Sequence, residues 1–247
     1  MKMSVTGHLE ELRWLLIRCA IYIIAASLIA LLFADRILYI LKLPSKGLIE
    51  SFMILKPAEA ITIYIKTAVF AGLSVAILPI FWELFNFVKP AMDKSQNDSV
   101  IKWVIAAFLL FVSGILFIYF VVLTPAISFL MNLSQGLTQS PVQLTLSSYI
   151  SFICALLFCG GIIFQIPLLA FILTKIGVIT PKFLSSKRRE AYFSMCVFAA
   201  VITPTTDAFS LALFMIPMIV LYEIGIIFSK MVYKNKILPG GEVYEQS

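Results

Sequence analysis

Charged residues are scarce in this sequence. Only 13% of its 247 residues are Asp, Glu, Lys or Arg, while 61% are hydrophobic. A soluble globular domain carries roughly 25% charged and about 45–50% apolar residues. A water-soluble protein of this size could not bury so much apolar surface, so the composition excludes a soluble fold and requires lipid around much of the chain.

The residues of metal and redox sites are equally few. The chain has one histidine, His8, and four cysteines, which all lie in apolar stretches: Cys19, Cys154, Cys159 and Cys196. One histidine cannot build a Cys/His metal cluster, and cysteines in such stretches are typical small buried hydrophobes. The sequence also lacks an HExxH pattern, a phosphate-binding loop and a nucleophile–base pair. We therefore predict no enzymatic activity, no metal and no cofactor.

Apolar runs dominate what is present. A helix needs about 20 apolar residues to cross a hydrocarbon core of about 30 Å. We predict an all-α integral membrane protein with six transmembrane helices, forming one membrane domain over residues 1–230, followed by a polar tail over residues 231–247. The predicted spans are residues 14–34, 58–88, 103–123, 149–173, 190–202 and 209–229.

Proline and glycine mark where two of these helices begin or break. Pro57 suits the first position of the second helix, and Glu59 favours the positive end of the helix dipole. The fourth run contains Gly160, Gly161 and Pro167, and we expect these residues to interrupt its helix.

Three stretches depart from a full-length span. Residues 190–202 would measure only about 20 Å as a helix, and we predict that the last two helices are short. Residues 35–57 contain Pro44 and Gly47, and residues 124–148 have no charge but many polar residues and two prolines. We expect both of these stretches to be loops.

Lys and Arg are distributed unevenly between alternating loops. With the N-terminus in the cytoplasm, most of them fall on the cytoplasmic side, and the first outer loop is the exception with Arg36, Lys42, Lys46 and Lys56. Because cytoplasmic loops carry an excess of basic residues, we predict that both termini are cytoplasmic. The same rule explains the net charge of +6, so the charge does not indicate nucleic acid.

Several polar groups lie within or beside the predicted spans, where a charge at mid-bilayer costs about 2.5–3.5 kcal/mol. Lys66 either snorkels outward or has a function, and Glu83 is either an interfacial acid or a functional one. Gln165 forms helix–helix hydrogen bonds or serves transport, and Asp207 caps the sixth helix or serves transport. Glu223 lies towards the cytoplasmic end of that helix. The sequence contains no carboxylate chain along one span, which proton pumps often have.

Six motifs resemble, in order, those of the TatC family of twin-arginine protein export. Each motif is weak alone, but together they cover nearly the whole chain. They are HLEELR at 8–13, FVKP at 87–90, FQIP at 164–167, KRREAY at 187–192, ITPTTDAFS at 202–210 and LYEI at 221–224.

This resemblance implies a function. TatC is the core of a translocase that exports folded proteins using the protonmotive force, and its cytoplasmic face recognises the twin-arginine signal peptide. The family works in the bacterial inner membrane, self-associates and assembles with single-span TatA- and TatB-type partners. A guanidinium pair requires fixed carboxylates, and the resemblance makes Glu11 the first candidate, with Arg13 beside it.

The chain departs from the family pattern at two acids. Gln96 occupies the position of the family's second receptor acid, so Asp93 or Asp98 is expected to substitute for it. Gln165 replaces a buried glutamate, and we group it with Asp207 and Glu223 as intramembrane polar residues of translocation. Five further residues are predicted to be structural: Pro44, Phe87, Pro90, Pro167 and Pro204.

Two alternative functions share some of these features. A small secondary transporter also uses broken helices and intramembrane polar groups, but the two halves of this chain show no convincing sequence symmetry. A membrane-embedded enzyme requires catalytic polar residues at one depth, whereas Glu83, Gln165 and Asp207 are spread over different depths.

Overall fold

The computed structural model describes residues 5–49, 51–88, 100–138, 144–202 and 208–236. Nearly all of these residues are helical, with one pair of two-residue parallel strands, β1 (Phe52–Met53) and β2 (Leu144–Thr145). The helices are α1 (Val5–Leu31), α2 (Ala34–Lys42), α3 (Pro57–Val88), α4 (Val100–Phe117), α5 (Leu123–Thr138), α6 (Leu146–Ile163), α7 (Ile166–Lys175), α8 (Pro181–Ser186), α9 (Arg188–Ile202) and α10 (Ala208–Lys236).

Within the described ranges, five helical segments are long and apolar enough to cross a membrane. They are Glu10–Leu31, Pro57–Phe87, Val100–Ser134, Leu146–Lys175 and Ala208–Tyr233. The prediction of a multi-pass helical membrane protein is therefore confirmed. Helix α9 has only 15 residues, fewer than the about 20 that a full span needs, so the count of six spans stays a prediction.

The predicted helix start at Pro57 and the break near Pro167 are both confirmed. Helix α3 runs from Pro57 to Val88, and the Glu59 carboxylate accepts a hydrogen bond of 2.8 Å from the Leu55 N–H just before the helix. Helix α6 ends at Ile163, and α7 resumes at Ile166 with Pro167 in its first turn. Gly160 and Gly161 do not interrupt the helix; they lie within α6.

The prediction of a loop over residues 124–148 is wrong for most of that stretch. Helix α5 continues to Thr138, after a π-helical turn at Ile118–Val122. Pro125 falls in the first turn of α5, where a missing N–H is tolerated because the irregular turn before it has already interrupted the regular hydrogen bonding. Ala126, Ile127 and Met131 are buried on one face, and this apolar face outweighs the polar content.

Two further boundaries differ from the predictions. The expected loop over residues 35–57 contains helix α2 and a short 3-10 turn at Leu43–Ser45. The last helix is not short, because α10 has 29 residues and extends to Lys236. The sequence contains no glycine or proline between Gly225 and Pro239. Nothing in that stretch therefore interrupts the helix, and α10 continues into the basic tail. Only α9 fits the prediction of a short helix.

The chain forms two compact units, and the first comprises Met1–Gly161. Its central feature is the antiparallel packing of α1 against α3, where Gly72 lies directly on the backbone of Ser27. Two tyrosines hydrogen-bond the last carbonyls of α2. Ile40 O, which also accepts the backbone N–H of Leu43, accepts the Tyr119 hydroxyl at 2.8 Å, and Leu41 O accepts the Tyr149 hydroxyl at 3.0 Å.

The second unit comprises Ile162–Ser247, and small residues bring α7 and α10 together in it. Gly225 lies against Ala170, and one turn further the buried hydroxyls of Thr174 and Ser229 are 2.6 Å apart. Each helix thus presents two small residues four positions apart, a spacing that allows close backbone approach between membrane helices.

Candidate functional site

A groove of about 390 Å³ lies in the first unit, where the N-terminal part of α1 faces the C-terminal end of α3. On α1 the lining residues recur every three or four positions and so share one helix face. The same spacing holds on α3. The groove is lined by Glu10, Glu11, Trp14, Leu15 and Arg18 of α1 and by Glu83, Asn86 and Phe87 of α3.

Three carboxylates and one guanidinium give the groove an acidic character. Arg18 Nη1 donates to Glu83 Oε2 at 3.1 Å, and the Tyr22 hydroxyl donates to Glu83 Oε1 at 3.2 Å. The Arg18 side chain is 55% exposed, whereas that of Glu83 is only 13% exposed. Glu10 and Glu11 add two further negative charges, so the lining residues that the structure describes carry a net negative charge.

Apolar walls complete the groove. Trp14, Leu15 and Phe87 stand beside the carboxylates, with Leu15 buried and Trp14 half exposed. Carboxylates bind guanidinium groups through charge-assisted hydrogen bonds, and aromatic faces attract cations. The site is therefore suited to a cationic ligand with apolar groups on either side.

The structure brings together some of the predicted site residues and not others. Glu11 and Phe87 both line the groove, at its α1 and α3 walls. Arg13 is exposed on α1, and it is not among the groove-lining residues that the structure describes. The predicted residues Pro90, Asp93, Gln96 and Asp98 lie outside the described residues.

The sequence did not indicate Arg18, Trp14 or Asn86 as site residues. It allowed Glu83 to be either an interfacial acid or a functional one. Arg18 and Glu83 are 65 residues apart, so neither local spacing nor composition could pair them. One signal was present, since two oppositely charged residues near the same end of two consecutive predicted spans are candidates for an ion pair.

A second polar cluster, in the second unit, surrounds Glu223. Arg188 donates to both carboxylate oxygens of Glu223, at 2.7 and 2.8 Å, and the Tyr192 hydroxyl donates to it at 2.6 Å. This hydrogen bonding by Glu223 raises the pKa of Arg188. Next to it, the hydrogen bond to Glu190 raises the pKa of Lys187. Glu223, predicted as an intramembrane polar residue, is thus the partner of the basic run that begins α9.

The other predicted polar and structural residues occupy separate places. Gln165 is buried, at the break between α6 and α7, and Pro167 follows in the first turn of α7. Pro44 lies in the 3-10 turn after α2. Pro204 and Asp207 lie outside the described residues.

Lys66 is held inside the first unit rather than extended outward. Its ammonium group donates to the hydroxyls of Ser147 at 3.1 Å and Ser151 at 2.7 Å, both on α6. These bonds join α3 to α6. Within the residues that the structure describes, no three His, Cys, Asp or Glu side chains form a group that could hold a metal ion.

The long apolar helices and the acidic groove define a class: a multi-pass helical membrane protein that offers a binding groove but, among its described residues, no metal centre. Residues 7–217 match the family described as Sec-independent protein translocase protein (TatC), and the chain belongs to this family. It is a membrane component of a protein translocase, with a role in twin-arginine translocation.

Individual TatC proteins and a solved TatC structure match this chain over almost their whole length. The TatC protein of Aquifex aeolicus is 36% identical over 95% of this chain and 98% of its own. That of Carboxydothermus hydrogenoformans is 32% identical over 93% and 94%. A crystal structure of the twin-arginine translocase receptor TatC, 34% identical, superposes with a TM-score of 0.82 over 91% of this chain and 99% of that one.

Proposed function

We propose that this chain is the signal-peptide receptor of a twin-arginine translocase and that it binds the arginine pair in the groove between α1 and α3. The observation that carries the proposal is the acidic groove itself, in which Glu10, Glu11 and Glu83 outnumber Arg18. Carboxylates held on two packed helices are positioned before a peptide arrives, which lowers the entropic cost of binding.

Glu11 is the first carboxylate of the proposed site. It lines the groove one turn from Trp14 and Leu15, so a bound arginine would have its charge on Glu11 and its methylene groups against the apolar wall. Asp93 and Asp98, with Gln96 between them, follow α3 in sequence and remain predicted contributors to the same site.

The wider arrangement follows from the family and from the charge distribution. We place the chain in the cytoplasmic membrane with six spans, counting α9 as the fifth, and with both termini in the cytoplasm. The groove then opens at the cytoplasmic surface, where a signal peptide arrives. TatA- and TatB-type single-span subunits and further copies of this chain would complete a complex that exports folded proteins with the protonmotive force.

Peptide binding to the purified protein in lipid nanodiscs tests the receptor function. A labelled twin-arginine signal peptide should bind more tightly than its twin-lysine counterpart, because lysine cannot form a bidentate bond with a carboxylate. Glu11→Gln should weaken binding by about 1.5–3 kcal/mol, the value of a hydrogen bond to a charged group. Glu59→Gln, at the opposite end of α3, is the matched control and should leave binding unchanged. Equal binding of both peptides, with no effect of Glu11→Gln, would refute the proposal.

A further inference from the structure

We propose that Arg18 is a built-in competitor for the peptide's arginine and that Glu83 is a second arginine-binding carboxylate, which the peptide reaches by displacing Arg18. This inference rests on the proposed receptor function and adds to it a second binding carboxylate and a built-in competitor. It starts from the unequal burial of the two partners, since the Glu83 side chain is 13% exposed and that of Arg18 is 55% exposed.

Because of this unequal burial, Glu83 depends on the ion pair, whereas Arg18 does not. A largely buried carboxylate is costly without a cation. A guanidinium group that is already half exposed can return to water at little cost. Arg18 can therefore leave, but Glu83 requires a replacement. Among the residues that the structure describes, Glu83 would then keep only the hydrogen bond from Tyr22.

The bond between Arg18 and Glu83 is also incomplete. Only one nitrogen of Arg18 contacts Glu83, at 3.1 Å. In the second unit, Arg188 binds Glu223 through two nitrogens at 2.7 and 2.8 Å. Bidentate arginine–carboxylate pairs are the stronger and more specific ones. An arginine that approached Glu83 from the groove with both nitrogens would thus form a better pair than Arg18 does.

The groove can then hold two adjacent guanidinium groups. One binds Glu11, and the other takes the place of Arg18 on Glu83, while the freed Arg18 turns towards solvent. Displacing Arg18 costs the same whichever cation replaces it, so the competitor lowers the affinity of the site. The preference for arginine over lysine comes from Glu83, because a guanidinium group offers a planar fork to the carboxylate and an ammonium ion does not.

Two substitutions test the exchange with twin-arginine and twin-lysine peptides in nanodiscs. Arg18→Gln removes the competitor, so the twin-arginine peptide should bind about tenfold more tightly, and the twin-lysine peptide should gain no more than that. Selectivity for arginine should therefore not fall. Glu83→Gln should weaken twin-arginine binding by about tenfold, and in the double variant the gain from Arg18→Gln should disappear.

Two controls separate the exchange from a structural role. Arg36→Gln removes an exposed arginine on α2, outside the groove, and should leave both affinities unchanged. Arg18→Lys keeps a charge without the planar fork, so its affinity for the twin-arginine peptide should lie between those of the wild type and Arg18→Gln. Thermal unfolding of each variant shows whether it is folded at the temperature of the assay.

The outcomes distinguish the two proposals. If the wild type binds the twin-arginine peptide through Glu11 and Arg18→Gln gains no affinity for either peptide, the exchange is refuted and the receptor function stands. If neither the wild type nor Arg18→Gln binds either peptide, both are refuted. Tighter binding of the twin-arginine peptide by Arg18→Gln, abolished in the double variant, supports the exchange.

Discussion

The crossing of α1 and α3 predicts a measurable sensitivity at Gly72. A methyl group at this position would overlap the backbone N and Cα of Ser27 as well as its side-chain oxygen. Backbone atoms cannot rotate away as a flexible side chain can, so Gly72→Ala must push the two helices apart. Overpacking of this kind costs typically about 1–3 kcal/mol. Alanine regains about 0.5–1 kcal/mol of helix propensity, so the midpoints of the two ranges leave a net loss of about 1 kcal/mol.

Gly225 in the second unit provides the matched control. A Cβ atom there would lie 3.2 Å from Ala170 Cβ and 3.4 Å from Pro167 Cα, so a shift of a few tenths of an ångström accommodates it. Gly225→Ala should therefore change the free energy of unfolding by less than about 0.5 kcal/mol, because the gain in helix propensity offsets the small strain.

The assay is unfolding of both variants in mixed detergent micelles, together with peptide binding in nanodiscs. Gly72→Ala should lower both stability and peptide affinity, because the groove lies between the same two helices. Gly225→Ala should lower neither by a comparable amount. A Gly72→Ala variant as stable as the wild type would refute the reasoning, since it would show that the two helices separate without cost.

Two further predictions concern the second unit. Arg188→Gln should destabilise it, because Glu223 loses two charge-assisted hydrogen bonds, although solvent screens this partly exposed pair. Arg188→Lys should restore only part of this loss in an unfolding titration, and equal stability of the three proteins would contradict the prediction. Thr174→Val should cost about 1–3 kcal/mol by leaving the buried Ser229 hydroxyl without its partner. Adding Ser229→Ala should then cost little more, and strictly additive losses would refute the coupling.

Local signals in the sequence were enough for much of the fold. Proline has fixed backbone requirements, so Pro57 and Pro167 marked a helix start and a helix break that the structure confirms. The same local reasoning failed at residues 124–138, where polar residues and Pro125 suggested a loop. Burial of one apolar face keeps that stretch helical, and burial is decided by neighbours that are distant in sequence.

The candidate site was also only partly predictable from the sequence. Glu11 and Phe87 were predicted from short motifs, because each lies within a recognisable run of residues. The pairing of Arg18 with Glu83 and that of Arg188 with Glu223 were not, since the partners are 65 and 35 residues apart.

The sequence by itself determined that this protein is helical, embedded in lipid and a member of the TatC family, because composition, span length and short motifs are properties of contiguous residues. Only the tertiary structure decided which charged residues form ion pairs. The close approach of Gly72 to Ser27 sets the register of α3 against α1. That register places Glu83 beside Arg18 and forms the groove, because a shift along either helix would bring different side chains opposite each other.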